Sequence, residues 1–160
     1  MSVVVDVLDE TDLGVPIEEV AALVRAVLEL EGAQGTVVVA FVEEEAIRDL
    51  NVRDRGLPGP TDVLSYCVRD EEADWPGPFL EGDTPLELGE VVVCPAVIRR
   101  YAEEGGREPG GQLAWTVIHG VLHVLGYDHA EDEGEMRRRE QALLEELRPL
   151  TSSLRLPADA

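Results

Sequence analysis

The three histidines of the chain, His119, His123 and His129, all lie within the stretch HGVLHVLGYDH. His119 and His123 are four positions apart on a predicted helix, so both rings project from one face with Cβ atoms roughly 6 Å apart. Gly126 can leave the helix with a positive φ and turn the chain back, so that His129 reaches the same point. Three imidazoles are a common zinc set that leaves a fourth position open to water, as catalytic sites require. The spacing therefore predicts a catalytic centre holding one zinc ion.

A less specific interpretation is that these are ordinary histidines of an apolar helix, because positions four apart repeat along any buried stripe. The complete HxxxHxxGxxH pattern, in a chain with no other histidine, favours the metal. Asp128 is next to the third histidine. It is either an acceptor that orients a ring or only a turn residue.

The same histidine spacing occurs in the metzincin proteases, whose pattern is HExxHxxGxxH. Their glutamate beside the first histidine acts as the general base. This chain has Gly120 at that position, which can neither accept nor donate a proton, so peptide hydrolysis of that type is not expected unless another carboxylate substitutes. A phosphodiester instead requires a Lewis acid and a cation for the developing charge, and the arginine fork matches two phosphate oxygens.

The composition is strongly acidic, with 34 acidic residues against 13 basic ones and a net charge of −21. Every basic residue is arginine. Such a charge repels nucleic acid at long range, so an anionic substrate would need a local cluster of arginines together with a metal. Cys67 and Cys94 form neither a CxxC pair nor a disulfide framework, and structural roles are expected for both.

With 160 residues and 44% hydrophobic content, the chain is expected to form one domain over residues 1–150, followed by a C-terminal tail at 151–160. It contains neither a signal-peptide pattern nor an apolar run long enough for a membrane span. A soluble, cytoplasmic protein is therefore expected.

Valine-rich segments alternate with segments of helical periodicity along the chain. This alternation predicts an α+β fold in which a single small mixed β-sheet is covered by helices, with the zinc site on a long helix and the turn after it. The order of the strands is not predicted. DRGLPGP is expected to form a loop, and the acidic segment from Arg69 to Glu87 a surface loop. The predicted strands are SVVVDVLD, TVVVAFV, TDVLSYCV and LGEVVVCP, and the predicted helices are PIEEVAALVRAVLELEG, EEEAIRDLNVR, AVIRRYAEE, GGQLAWTVIHGVLHVLG and EDEGEMRRREQALLEELRPL.

A second distinctive stretch, RGLPGPTDVLSY, begins at Arg55, and LGEVVV begins at Leu88. Together with HGVLHVLGYDH, these motifs resemble the YbeY family of bacterial rRNA-maturation endoribonucleases, in order from about Val4 to Leu147. The chain departs from the family pattern in three places. Tyr66 stands where phenylalanine is usual, Cys94 and Pro95 follow the strand where a serine is common, and the segment before LGEVVV is unusually acidic.

The resemblance implies a zinc-dependent, single-strand-specific endoribonuclease that acts in maturation of the small-subunit (16S-type) rRNA 3′ end and in ribosome quality control. His119, His123 and His129 match the zinc ligands of the family, and Arg55 matches the arginine proposed to hold the scissile phosphate. The implied partners are single-stranded rRNA and the ribosomal small subunit or its proteins, with neither DNA nor a membrane among them.

Two other functions stay open at this point. The first is a non-catalytic ribosome-assembly factor that uses the same zinc and arginine surface for binding, which the acidic surface favours because it suits a basic protein partner. The second, disfavoured by Gly120, is another zinc hydrolase such as a peptidase. No general base is identified from the sequence.

Overall fold

The computed structural model describes residues 3–68, 78–79, 87–128 and 134–158. Most of the acidic segment from Arg69 to Glu87 lies outside these ranges, as does His129. Over the described ranges, the chain forms four strands and six helices. The strands are β1 Val3–Asp9, β2 Gly35–Phe41, β3 Val63–Cys67 and β4 Glu87–Val93, and the helices are α1 Ile17–Leu30, α2 Glu44–Arg55, α3 Pro95–Gly105, α4 Pro109–Val124, α5 Glu135–Glu146 and α6 Arg148–Thr151.

The four strands form a single sheet with the order β1-β2-β4-β3. β1, β2 and β4 are parallel, and β3 pairs antiparallel with β4, with Ser65 opposite Val91. The two central strands, β2 and β4, are buried almost throughout, as expected for strands that are covered on both faces. The predicted α+β fold with one small mixed sheet is confirmed.

Helices cover the two faces of the sheet unequally. The larger core lies between the sheet and α1, α4 and α5, where Leu23, Ile118 and Leu143 are completely buried. The smaller core lies on the opposite face, where Ile47 of α2 packs with Leu64 of β3. α4 is the central helix of the larger core, since it contacts β3, β4, α1, α3 and α5.

Close packing against the sheet fixes the position of α4. A Cβ placed on Gly120 would lie 2.6 Å from Val91 Cγ1 and 3.2 Å from Val63 Cγ2, so only glycine fits without displacing the strands. Ser65 Oγ of β3 donates a hydrogen bond to the carbonyl of Gly120 at 3.0 Å. Cys67 Sγ contacts the carbonyl of Val124 at 3.0 Å, a structural role of the kind that the sequence predicts. The middle of α4 is therefore held directly against β3.

Among the predicted boundaries that differ from the structure, two concern Arg55 and the last helix. Arg55, predicted to lie in a loop, is the last residue of α2, because Gly56 adopts φ 66° and caps the helix one residue later. Arg53 and Arg55 also lie in the last turn, where basic side chains interact favourably with the helix dipole. The single last helix predicted to end at Leu150 is interrupted at Leu147, and the short α6 starts with Pro149 near its beginning.

Residues 152–158, most of the segment that the sequence assigns to a tail, lie against the core. Leu154 is fully buried, and Arg99 of α3 donates a hydrogen bond to the carbonyl of Leu156 at 2.8 Å. Among the helices of the described ranges, none is long and apolar enough to cross a membrane.

Candidate metal centre

His119 and His123 lie one turn apart in the second half of α4, and both are partly buried. Their ring centroids are 4.6 Å apart and the ring planes are nearly perpendicular, at 84°. The prediction that the two rings share one face of a helix is confirmed. Both rings lie beside the segment of α4 that packs against the sheet at Gly120, so this packing sets their backbone positions.

The His119 ring is oriented by side chains of α4 and α5. Its Nδ1 atom lies 2.7 Å from Oε1 of Glu140, a residue of α5 that is only 2% exposed. The other oxygen of Glu140 accepts a hydrogen bond from the indole nitrogen of Trp115 at 3.0 Å. Trp115 also stacks on His119, with ring centroids 4.8 Å apart and an interplanar angle of 24°. Three contacts thus fix the plane and direction of this imidazole.

The His123 ring is oriented by the turn that follows α4. Gly126 has φ 105°, as the sequence predicts for the residue that leaves the helix. The turn brings the carbonyl oxygen of Tyr127 to 2.9 Å from Nδ1 of His123. The Tyr127 hydroxyl donates to Glu31 Oε2 at 3.0 Å, and Arg139 forms an ion pair with the same glutamate. The turn is therefore anchored to the end of α1 and to α5.

These contacts determine which nitrogen of each ring can bind a metal. A carbonyl oxygen and a carboxylate are acceptors, so Nδ1 of both His119 and His123 carries the proton. Nε2 then carries the lone pair of the neutral ring, and a histidine held at Nδ1 by a carboxylate or a carbonyl is typical of metal sites. The donor set of the two described histidines fits a zinc ion.

The complete ligand set extends beyond the residues that the structure describes. His129, the third predicted ligand, lies outside the described residues, and within the described ranges no group of three His, Cys, Asp or Glu side chains is positioned to hold a metal. Asp128 lies at the end of the described turn and is exposed. The role of His129 therefore stays a prediction.

Glu140 is a site residue that sequence reasoning missed. Its signal was the spacing Met136, Glu140, Leu143, which places a carboxylate on the buried face of an amphipathic helix. Charged side chains are almost never fully buried unless they are paired, so a glutamate in this register indicates a partner across the helix interface. The partners are His119 and Trp115.

Gly120 faces the sheet, and its environment explains the missing protease glutamate. Because a Cβ at this position would collide with Val91, a glutamate would displace the sheet. The described site thus has no room for a protease-type base beside His119.

Arg55 reaches the same part of the molecule from α2. It is exposed, and its guanidinium makes a long contact of 3.5 Å with the carbonyl of Ser65, the residue whose hydroxyl binds Gly120. Arg53, two residues before Arg55, pairs with Asp54 at 2.7 Å, and this hydrogen bond lowers the pKa of the Asp54 carboxyl. The Tyr66 hydroxyl donates to Asp54 at 2.5 Å. The carboxylate of Asp54, which precedes Arg55 in the sequence, therefore already accepts hydrogen bonds from Arg53 and Tyr66.

Asp62, in the loop before β3, is a second carboxylate near the histidines. Its burial raises the pKa of the carboxyl above the ordinary value, against the opposing influence of hydrogen bonds, including one from Thr61, and of His119. The carbonyl of Asp62 accepts from the backbone N–H of Cys94 at 2.9 Å, which fixes the start of β3 beside the end of β4.

Comparison with known proteins places this sequence in a family. The family model described as Endoribonuclease YbeY matches residues 6–148. Curated proteins named Endoribonuclease YbeY include one from Mycobacterium sp. strain KMS, 37% identical over 89% of this chain and 82% of its own length, and one from Bacillus velezensis, 36% identical over 91% and 96%.

A solved structure supports the same conclusion at the level of the fold. The solution structure of TM1509 from Thermotoga maritima is similar to this chain with a TM-score of 0.60 and 28% sequence identity, covering 98% of this chain and 99% of the other. The matched residues 6–148 include both described histidines, Arg55 and Glu140. On this evidence, the chain belongs to the YbeY family of endoribonucleases.

Proposed function

We propose that this protein is a zinc-dependent endoribonuclease that cleaves single-stranded RNA during maturation of the small-subunit rRNA 3′ end and during ribosome quality control in the cytoplasm. Its family, whose members carry the name endoribonuclease, supports RNA cleavage as the reaction. The zinc dependence, the rRNA substrate and the ribosomal partners extend beyond what the family name states, and the arrangement of the site supports the first of them.

One observation supports the zinc dependence: Nδ1 of His119 and Nδ1 of His123 each lie against a hydrogen-bond acceptor of the protein. Glu140 and Tyr127 come from different elements, yet each holds Nδ1 of one histidine at 2.7–2.9 Å. If the two histidines had only a packing role, there would be no reason for both rings to present Nε2 from the same face of the helix. His119 and His123 would hold the ion, together with His129.

Zinc, when bound, supplies Lewis acidity toward a phosphoryl oxygen and lowers the pKa of water. Arg55 binds the scissile phosphate through two N–H groups of its guanidinium and stabilises the charge that develops on the phosphate oxygens. The Asp54 carboxylate accepts its hydrogen bonds from Arg53 and Tyr66, and the nearby charge of Arg55 also lowers the pKa of this carboxyl. Arg55 is also exposed, so it can turn toward a substrate without breaking a buried contact.

A second function is favoured by the net charge of −21. A ribosome-assembly factor without catalysis could use the same surface to bind a basic ribosomal protein, and that reading needs no RNA cleavage. The two functions differ in whether Arg55 affects a chemical step or only binding.

Cleavage of a labelled single-stranded RNA by the purified chain tests the proposal. We expect cleavage to stop on chelation and to return when zinc is added. Arg55→Ala should lower the cleavage rate about 100-fold or more, the usual effect of removing one group that stabilises transition-state charge. Its zinc content, measured by elemental analysis, should stay at the wild-type value.

The matched control is Arg48→Ala, which removes an exposed arginine of the same helix that pairs with Glu44. This control should cleave at the wild-type rate. His119→Ala should lose both zinc and cleavage. If His119→Ala cleaves as well as the wild type, the activity belongs to a contaminant, and if RNA is bound but never cleaved, the assembly-factor function is the correct one.

A further inference from the structure

A cavity of about 700 Å³ lies between α4 and α5, beside the metal centre. His119 and Glu140 form part of its wall, so the cavity is continuous with the site. It extends from there toward the beginning of α4, where Gln112 and Arg107 line it. Its volume falls in the range of about 300–1,000 Å³ that small-molecule sites occupy. A chain cleaved at the metal can therefore continue into this cavity.

The cavity contains an aromatic side chain whose orientation is fixed. Trp115 lines the cavity and is partly buried. Its indole is held by the hydrogen bond to Glu140 and by stacking on His119. A rigid indole beside an RNA-cleaving centre is suited to stacking with a base, and such stacking tolerates any base because each has a π face.

Two arginines border the same cavity from different elements. Arg107 lies in the turn before α4 and Arg137 lies on α5, and both are exposed. Arg107 uses Nη1 to bind the side-chain oxygen of Gln112 at 3.0 Å, which leaves its remaining N–H groups for another acceptor. In a chain of net charge −21, two guanidinium groups at one cavity indicate a site for phosphate.

The carboxylates of the cavity are already occupied by donors of the protein itself. Glu108 accepts from the backbone N–H groups of Gly110 and Gly111 at 3.3 and 3.1 Å, where it caps α4. Glu140 accepts from His119 and Trp115. The side chains that remain available to a ligand are therefore the two arginines and the exposed amide of Gln141, which can donate to and accept from a base edge.

We infer that this cavity, hereafter the α4–α5 cavity, binds a nucleotide of single-stranded RNA that flanks the cleaved bond. Trp115 stacks with the base, and Arg137 and Arg107 bind the adjoining phosphate. The inference rests on the proposed function, since it names a substrate subsite of the same centre. RNA fits this cavity better than a basic peptide does, because Arg107 and Arg137 would repel a cationic ligand.

Binding and cleavage are tested with separate variants. In a background carrying Trp75→Phe and Arg55→Ala, Trp115 is the only tryptophan and cleavage is slowed, so binding of a single-stranded RNA oligonucleotide should quench the Trp115 fluorescence. Arg137→Ala should weaken binding of that oligonucleotide about tenfold, the usual effect of losing one charge-assisted hydrogen bond. The slope of log affinity against log salt should become more positive by about one, because one phosphate contact fewer releases fewer counterions.

In the cleavage assay, Arg137→Ala should raise KM about tenfold and leave kcat within about twofold of the wild type. Arg148→Ala, which removes an exposed arginine of α6 outside the cavity, is the control and should match the wild type in every measurement.

The result that overturns the inference is a wild-type protein that cleaves RNA while Trp115 fluorescence is not quenched and Arg137→Ala has an unchanged KM. The proposed function would then stand, and only the subsite would be wrong. The opposite outcome is a protein that cleaves no RNA but whose Trp115 fluorescence is quenched by RNA in a way that depends on Arg137. That outcome supports the cavity as an RNA site and contradicts the nuclease function.

Discussion

At the scale of single residues, the candidate metal centre includes two acceptors that are not themselves predicted ligands. Glu140 and the carbonyl of Tyr127 each hold Nδ1 of one histidine. The two acceptors differ in what mutation can do to them. The carbonyl of Tyr127 cannot be removed by a side-chain substitution, whereas the carboxylate of Glu140 can be exchanged for an amide of the same shape.

Glu140→Gln should lower zinc affinity about tenfold or more, the usual consequence of altering a group that orients a metal-binding histidine. A carboxylate accepts from both His119 and Trp115, but a glutamine has only one oxygen for the two donors. The measurement is competition for zinc with a coloured chelator. Glu145→Gln, on an exposed position of the same helix, should leave the affinity unchanged. Equal zinc affinity in the two variants would show that Glu140 does not orient His119.

At the scale of elements, the sequence predicted the strands and helices, which depend on neighbouring residues. It did not predict the features that depend on contacts between segments far apart in the chain. Valine-rich strands and the periodic helix α1 were found because their patterns are contained in their own residues. The strand order β1-β2-β4-β3 was not found, because nothing in β4 alone states that it lies between β2 and β3. Glu140 was missed for the same reason, since its partner His119 is on another helix.

The histidine stretch is the part of the site that was predictable, because HxxxH fixes two rings on one helical face. Arg55 was identified as a site residue only through family resemblance, and its placement in a loop was wrong. The helix continues through Arg55 because the glycine that follows can adopt a left-handed conformation and cap it there. The glycine and proline content of DRGLPGP is typical of a loop, but its first two residues belong to the helix.

Two adjacent glycines at the start of α4, Gly110 and Gly111, allow a test of how the C-terminal segment packs against this helix. A Cβ on Gly110 would lie 2.2 Å from the backbone oxygen of Leu154, whereas the nearest atom to a Cβ on Gly111 is 3.8 Å away. Gly110→Ala should therefore lower the free energy of unfolding by about 1–3 kcal/mol, the usual cost of overpacking. Gly111→Ala should leave it unchanged or raise it by up to about 1 kcal/mol.

Urea unfolding of the two metal-free variants measures the difference directly. A second measurement, limited proteolysis, should show faster cleavage after Arg155 in Gly110→Ala alone, because the displaced segment becomes accessible. Equal stability of the two alanine variants would mean that residues 152–158 do not pack against α4.

At the scale of the whole molecule, the net charge of −21 opposes the binding of RNA, which is itself a polyanion. The long-range field of the protein repels RNA, whereas in the proposed function Arg55, Arg107 and Arg137 attract RNA locally near the candidate metal centre. Salt affects the two interactions differently. Raising the ionic strength from about 0.01 M to about 0.15 M shortens the Debye length from about 30 Å to about 8 Å, which screens the distant acids more than direct arginine–phosphate contacts.

We expect the rate of RNA association to rise with salt over this range, the reverse of the behaviour of a basic RNA-binding protein. The acidic run at residues 70–74 is the densest concentration of carboxylates in the sequence before LGEVVV. Replacing Glu71, Glu72 and Asp74 by their amides should raise the association rate at low salt and flatten its rise. Stopped-flow fluorescence with a labelled single-stranded oligonucleotide measures both effects.

The matched control neutralises the same number of charges elsewhere, at the exposed glutamates Glu18, Glu19 and Glu29 of α1. If the acidic run lies along the path of the RNA, its removal accelerates association more than the control does, because Coulomb repulsion falls with distance. Equal acceleration by both variants would mean that only the total charge matters. Association that slows with salt in the wild type would contradict the prediction, since local arginines would then outweigh the acidic field at every ionic strength.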